Sequence, residues 1–379
     1  MKSLSKWDAF LAAFIILSII CVFYAQIVFF DEIFIKRDIG RYYHPLRFIA
    51  RQIFESGGFP FWNPYIFCGL PLFATIQSCI LYPPSIIYYL GNFYRMFSLF
   101  ILLHIFLAGF FTYLLMKEWG RSKMASFFAA FTFAFSGCMV SAINLTIALS
   151  SAAWFPLLLL FYGKTRRGPI AGKNIVFSAL TLLMMLLAGD PAVVYISIAV
   201  LGGISVYYVL EDLFDNGRFN LNHLAPFIAA VGLFLLLGAF QTIPFLEFIR
   251  LTDRKVMPFW VSSGWSVPPA DLISLVIPFF NDVNWYFGDY WQTQSWLDNY
   301  YMGIIPLCLF FVGAFFDKSK KTNLLILFSI AALTISLGRY TALYGMMYKF
   351  LPFFRFIRYP VRFFFLFAFC VAALAGGGL

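Results

Sequence analysis

The sequence predicts an all-α integral membrane protein that crosses a bilayer about ten times, and three observations predict it. Of 379 residues, 62% are hydrophobic and only 12% charged, with mean hydropathy +0.84. A soluble domain needs roughly a quarter of its residues charged to face water, so lipid must cover most of this chain. Apolar stretches near the roughly 20 residues needed to span hydrocarbon recur along the whole sequence. Short basic clusters fall at alternate connections between them, as membrane orientation requires. The 51 phenylalanines suit apolar surroundings and specify no chemistry.

The first stretch runs from Trp7 to Phe30, after Lys2 and Lys6, with no small-residue cleavage site, so it is a retained span and not a removed signal. The others are about 96–116, 124–142, 146–162, 174–189, 191–210, 224–245, 301–316, 322–337 and 361–379. With a cytoplasmic N-terminus, one side collects Lys117, Arg121 and Lys123, then Lys164, Arg166, Arg167 and Lys173, then Arg218, then Lys318, Lys320 and Lys321. This makes the chain a single polytopic membrane domain, 1–379; for a bacterial protein the membrane would be the cytoplasmic (inner) one. The net charge of +10 is spread in these small groups, so nucleic acid is excluded as a partner and membrane lipids are expected. The chain stops at Ala-Gly-Gly-Gly-Leu379 inside an apolar run with no basic anchor, as an incomplete protein would.

The opposite side carries long external segments at about 31–95 and 246–300 and a shorter one at 338–360. Eleven of the 17 acidic residues lie on this side. Rich loops on one face of a bundle are where function usually sits. In the first, Leu46, Phe48, Ile49, Ile53 and Phe54 follow helical spacing with Arg47 and Arg51 one turn apart. This predicts an amphipathic helix in the membrane interface, apolar face in lipid, ended by Gly57, Gly58 and Pro60. The broken stretch from Asn63 to Pro84 predicts an interfacial or re-entrant turn.

Asp38-Ile-Gly-Arg41-Tyr42, the interfacial helix, Ser56-Gly and the aromatic-Pro stretch after it resemble the GT-C membrane glycosyltransferases. The closer resemblance is to the bacterial YfhO-like family. It rests on Asp38 with Tyr42, Gly58-Phe-Pro60-Phe-Trp62-Asn63-Pro64 with Gly69-Leu-Pro71, and Tyr82-Pro83. It rests too on Gln241-Thr-Ile-Pro244-Phe-Leu-Glu247 and Leu351-Pro352-Phe-Phe-Arg355-Phe-Ile-Arg358-Tyr-Pro360-Val-Arg362-Phe363. The resemblance implies GT-C-like architecture and an inverting transfer of sugar from a polyprenyl-phosphate carrier to a cell-envelope glycan or lipid acceptor. It implies Asp38 as the catalytic base, with Asp31 and Glu32 as rival acids. Ile39 departs from it, because many relatives carry a second acid there.

Such a transfer needs a carboxylate to take the acceptor proton and cations to hold the departing phosphate. Arg355, Arg358 and Arg362 cluster around Pro360, where a helix should start, and a helix N-terminus favours anions; lipid-headgroup snorkelling is the plainer reading. Arg250, Arg254 and Lys255 form a second cluster, more simply read as a solvated face. With Arg41 and Tyr42, Asp190 completes the expected substrate-binding set. In Gly189-Asp190-Pro191 it can orient the acceptor, or hold a divalent metal ion with Asp38, or merely lie exposed in a turn. His44, His104 and His223 are scattered, and His104 reads as a hydrogen-bonded packing residue. The six cysteines form no metal spacing; Cys68 and Cys79 share one loop and can pair if it is exported. Trp260, Trp265, Trp285, Trp291 and Trp296 either anchor the second long loop or stack on sugars, and anchoring is the simpler expectation. The expectation as a whole is that carboxylate and guanidinium groups meet at one external cavity. The alternative function is a transporter or flippase of a lipid-linked saccharide, and a third is an assembly partner without activity. Nearly charge-free spans favour surface chemistry over translocation.

Overall fold

A computed structural model describes residues 6–166, 171–255, 257–278, 296–352 and 354–379. The described chain is helical nearly throughout, its single β-bridge joining Asn63 and Leu70. All ten apolar stretches contain helix. Among the described residues five helical segments are long and apolar enough to cross a membrane, or six if the bent pair Leu221–Leu237 and Ala239–Arg250 is one span. The remaining stretches form shorter apolar helices such as Ile304–Phe316, so this is a multi-pass membrane protein. The stretch read as spans 124–142 and 146–162 is a succession of short helices, beginning with Lys123–Ala134 and ending with Phe155–Lys164.

The chain separates into two compact units: residues 5–111 with 143–249, and residues 112–142 with 250–379. In the first, the amphipathic segment is the helix His44–Glu55, ended by Gly57 at φ +85°. Its apolar face is not given to lipid. Leu46 and Ala50 pack on the buried Leu72 with Tyr42, Ile49, Ile53, Ile66 and Ile80 around them, because the broken loop folds back beneath the helix. That loop holds itself in shape: Asn63 and Leu70 exchange both main-chain hydrogen bonds at 2.8 Å. Gly69, at φ +114°, lies under the Trp62 ring, where a Cβ would come within 2.2 Å. Gln241 ties it down by donating to the Phe73 carbonyl at 3.0 Å. Cys79 is buried and its Sγ donates to the Ala188 carbonyl at 3.2 Å, while Cys68 is exposed, so the two are unpaired. Two basic turns meet in this unit, where Arg166 reaches the ring and carbonyl of His223 and His223 pairs with Asp212.

The second unit is built around the helix Phe364–Gly377. Every residue from Phe364 to Gly376 is buried, against Ile304–Phe316, Lys320–Ser336 and Lys123–Ala134. Hydropathy alone reads this segment as one more span; here protein, not lipid, surrounds it. Close approach depends on glycine. A Cβ on Gly313 would sit 2.2 Å from the Leu374 carbonyl oxygen, and one on Gly376 would sit 2.7 Å from that of Ala125. The basic turns at Arg121 and Lys318–Lys321 also meet, through an ion pair of Arg121 with Asp317. In each unit, then, connections expected on one side of the membrane lie together.

Candidate functional site

The first unit presents Asp38 just ahead of a π-helical turn, Ile39–Tyr43, that runs straight into the His44–Glu55 helix. Such turns are rare and concentrate at functional sites. Ile39 is fully buried and anchors the turn, and Gly40 lets it fold against Ile35, whose carbonyl oxygen would be 2.7 Å from an added Cβ. Asp38, at the head of the turn, is exposed, and so is Arg41. The Tyr42 hydroxyl donates to Gln77 Oε1 at 2.7 Å. Of the rival acids, Asp31 forms an ion pair with Arg95, whereas Glu32 is exposed.

Asp190 is fully buried and not exposed in its turn. Its Oδ1 accepts from the Ala192 and Val193 amides at 3.0 and 3.5 Å, which caps the helix Pro191–Asn216. The preceding Gly189, at φ +102°, lets the turn press against Cys79 and Gln77 of the broken loop. Asp38 and Asp190 both act on Tyr43. Burial pushes that hydroxyl well above its ordinary value, Arg47 opposes the rise, and the two carboxylates add to it. Both acids therefore stand within electrostatic reach of one side chain. Among the described residues no three His, Cys, Asp or Glu side chains gather as a metal cage.

Arg47 was legible only as the polar face of an interfacial helix, yet it is 1% exposed. Its guanidinium carbon lies 5.1–5.8 Å from the ring centres of Tyr43, Tyr88, Phe97 and Phe100. It donates to the Tyr88 hydroxyl at 2.5 Å and to Cys79 Sγ at 3.1 Å. Each ring contributes about 0.5–2 kcal/mol against a desolvation cost of several kcal/mol. Beside this cage His104 is satisfied on both nitrogens, by the Phe100 carbonyl and the Tyr82 hydroxyl, each at 2.7 Å, and Trp154 donates to the same hydroxyl. It packs as a hydrogen-bonded core residue.

The second unit holds the guanidinium groups. The helix start expected at Pro360 is present as a 3-10 turn, Pro360–Phe363, leading into Phe364–Gly377. Ahead of it Tyr359 adopts φ +70°, held by its amide on the Ser262 carbonyl and by stacking on Trp265 at 4.1 Å. Arg358 lies over the Tyr359 ring at 4.8 Å, and Arg362 lies over Trp296 at 5.0 Å. Half-burial lowers the pKa of Arg358 below its ordinary value, and Arg254 and Arg362 lower it further. Arg254, read from the sequence as part of a solvated face, is exposed as that reading requires, and its charge reaches Arg358. Arg355 is turned away onto the Tyr348 carbonyl at 3.2 Å. No carboxylate among the described residues pairs with Arg254 or Arg358. Trp265 and Trp296 contribute to the bed of this cluster, Trp265 under Tyr359 and Trp296 under Arg362. Trp260 is exposed, and Trp285 and Trp291 lie outside the described residues.

The carboxylates belong to one unit and the guanidinium cluster to the other. No protein family description matches the chain, and no curated protein matches it, so the YfhO-like resemblance rests on its motifs. Among solved structures, the crystal structure of ArnT from Cupriavidus metallidurans bound to undecaprenyl phosphate is similar over 88% of this chain, with a TM-score of 0.47 and 14% identity. The match covers 54% of ArnT, so the chain spans about half of that protein's length.

Proposed function

We propose that this protein is a membrane glycosyltransferase of GT-C type that moves a sugar from a polyprenyl-phosphate carrier to an envelope glycan or lipid, with inversion. The observation that carries the reading is a set of guanidinium groups at the start of a buried helix: Arg358 lies over the Tyr359 ring, Arg362 over Trp296, and Arg254 stands within electrostatic reach of Arg358. Guanidinium groups beside a helix N-terminus suit a lipid phosphate. In this reading they bind the donor and stabilise the phosphate as the anomeric bond breaks. Asp38, exposed on its π-helical turn, takes the proton of the acceptor hydroxyl as that oxygen attacks. Arg41 and Tyr42 flank it, and Asp190 holds the neighbouring turn. Asp38 and Asp190 are also the residues that would hold a divalent ion.

One observation favours the transporter reading. The span Leu221–Leu237 and Ala239–Arg250 is bent by 75°, a discontinuity of the kind transporters use. Of the polar residues near the bend, Gln241 is engaged on the Phe73 carbonyl, while the Thr242 hydroxyl is buried without a hydrogen-bond partner among the described residues. Reconstituted protein given a polyprenyl-phosphate sugar and a membrane extract as acceptor source separates the two. Asp38→Asn should lower transfer at least a hundredfold while lipid-saccharide movement between leaflets stays the same. Undiminished transfer by the Asn variant rejects the base assignment, and movement without any transfer by the native protein rejects the enzyme.

A further inference from the structure

Between the His44–Glu55 helix and the 3-10 helix Pro83–Tyr89 lies a cavity of about 380 Å³. Phe54, Ile86 and Tyr89 wall it alongside the buried Arg47, Cys79 and Tyr88. The volume falls within the range of about 300–1,000 Å³ typical of small-ligand sites. Its mouth is apolar and accessible, with Ile86 69% exposed. Its lining is not wholly apolar, because it includes Arg47, whose guanidinium donates to two other lining residues, Tyr88 and Cys79. Nε of that guanidinium is buried and has no hydrogen-bond partner among the described residues, and no described carboxylate neutralises the charge. Aromatic faces and two weakly acidic groups, a phenol and a thiol, surround it. Such surroundings tolerate a cation without discharging it.

We propose that this cavity is a binding site for an anionic amphiphile: a phosphate or carboxylate head against Arg47, with the apolar chain leaving past Ile86 and Phe54. Charge complementarity selects the head, since the buried group is a fork of N–H donors suited to an oxyanion. The apolar exit past Ile86 and Phe54 selects a chain attached to that head. The site shares no residue with the Arg254, Arg358 and Arg362 cluster, so it is additional to the donor site proposed above.

Native mass spectrometry of the full chain in detergent tests this, with phosphatidylglycerol, oleate, phosphatidylcholine and inorganic phosphate as probes. Phosphatidylglycerol or oleate should be retained at least tenfold more than the zwitterionic phosphatidylcholine. Arg47→Gln should abolish that preference. Because Arg47 is packed among rings, a second variant guards against misfolding: Ile86→Trp, at the exposed mouth, should block retention while leaving thermal stability unchanged. Displacement by millimolar inorganic phosphate identifies the head alone as the ligand and supports the site; retention despite phosphate identifies the lipid. Absence of any anion preference, or a preference that survives both variants, overturns the proposal. Retention lost in Arg358→Gln but kept in Arg47→Gln overturns it as well, by assigning the lipid to the donor cluster.

Discussion

Asp190 separates a structural from a chemical role within one residue. The helix it caps begins with Pro191, which has no N–H, so the first turn has three donors to satisfy. Val194 uses the Asp190 main-chain carbonyl at 3.4 Å, and Ala192 and Val193 use the carboxylate. Replacing Asp190 by Ala strands two donors at a site with no solvent exposure. A buried donor without a partner costs about 1–3 kcal/mol, and a lost cap typically ~1 kcal/mol. Because the Val193 bond is long, the sum is set mainly by Ala192, and Asp190→Ala should lose roughly 2–3 kcal/mol by these values. Asn keeps the accepting oxygen and gives up only the charge–dipole attraction, about 0.3–1 kcal/mol. Reversible denaturant unfolding in mixed micelles measures both. A loss with Asn equal to that with Ala shows that the charge, not the cap, is what the fold uses. A loss with Ala below about 1 kcal/mol refutes the capping account.

Other expectations follow from the same geometry. Gly313→Ala places a methyl 2.2 Å from a backbone carbonyl that cannot rotate away, so two helices must part; overpacking of this kind costs about 1–3 kcal/mol, and an unchanged melting temperature would show that they are not in contact. Burial raises the Asp271 carboxyl to about 7, and its Oδ2 has no hydrogen-bond partner among the described residues. The folded pKa stands above the unfolded one, so stability is complete below about pH 4 and is lost as pH rises through 7. Asp271→Asn should flatten that dependence and raise the folding equilibrium constant about tenfold or more at pH 8, and unfolding curves that keep their slope between pH 4 and 8 would contradict it. In the transfer assay Arg254→Gln and Arg358→Gln should each raise KM for the lipid donor about tenfold, with the double variant less than additive because the two cations act on one another. Independent, fully additive effects would place Arg254 outside the cluster.

The spans were legible because hydrocarbon imposes length and apolarity on each of them. The helix start at Pro360 was legible because proline has one comfortable place in a helix. Burial of Arg47 was not. Three of the four rings that enclose it, Tyr88, Phe97 and Phe100, lie more than 40 residues away, and in a chain so rich in phenylalanine no local spacing marks them. The contacts of Trp265 and Trp296 were illegible for a related reason: tryptophan suits both a headgroup boundary and a packed cation bed. Likewise hydropathy could not place Phe364–Gly377 at the centre of its unit, since lipid and protein interior are equally apolar. The signal that could have done so was steric: Gly313, Gly376 and Gly378 permit backbone contact that larger residues forbid.

That central helix also orders events during synthesis. Its neighbour Lys123–Ala134 is made roughly 230 residues earlier, about 10–50 s at ribosomal speeds. Through that interval the face of the older helix that Gly376 later meets, at Ala125 and Ala129, needs another cover, and in a bilayer acyl chains would supply it. Closure of the second unit is therefore an exchange of acyl chains for a peptide helix, governed by how readily the surrounding lipids leave.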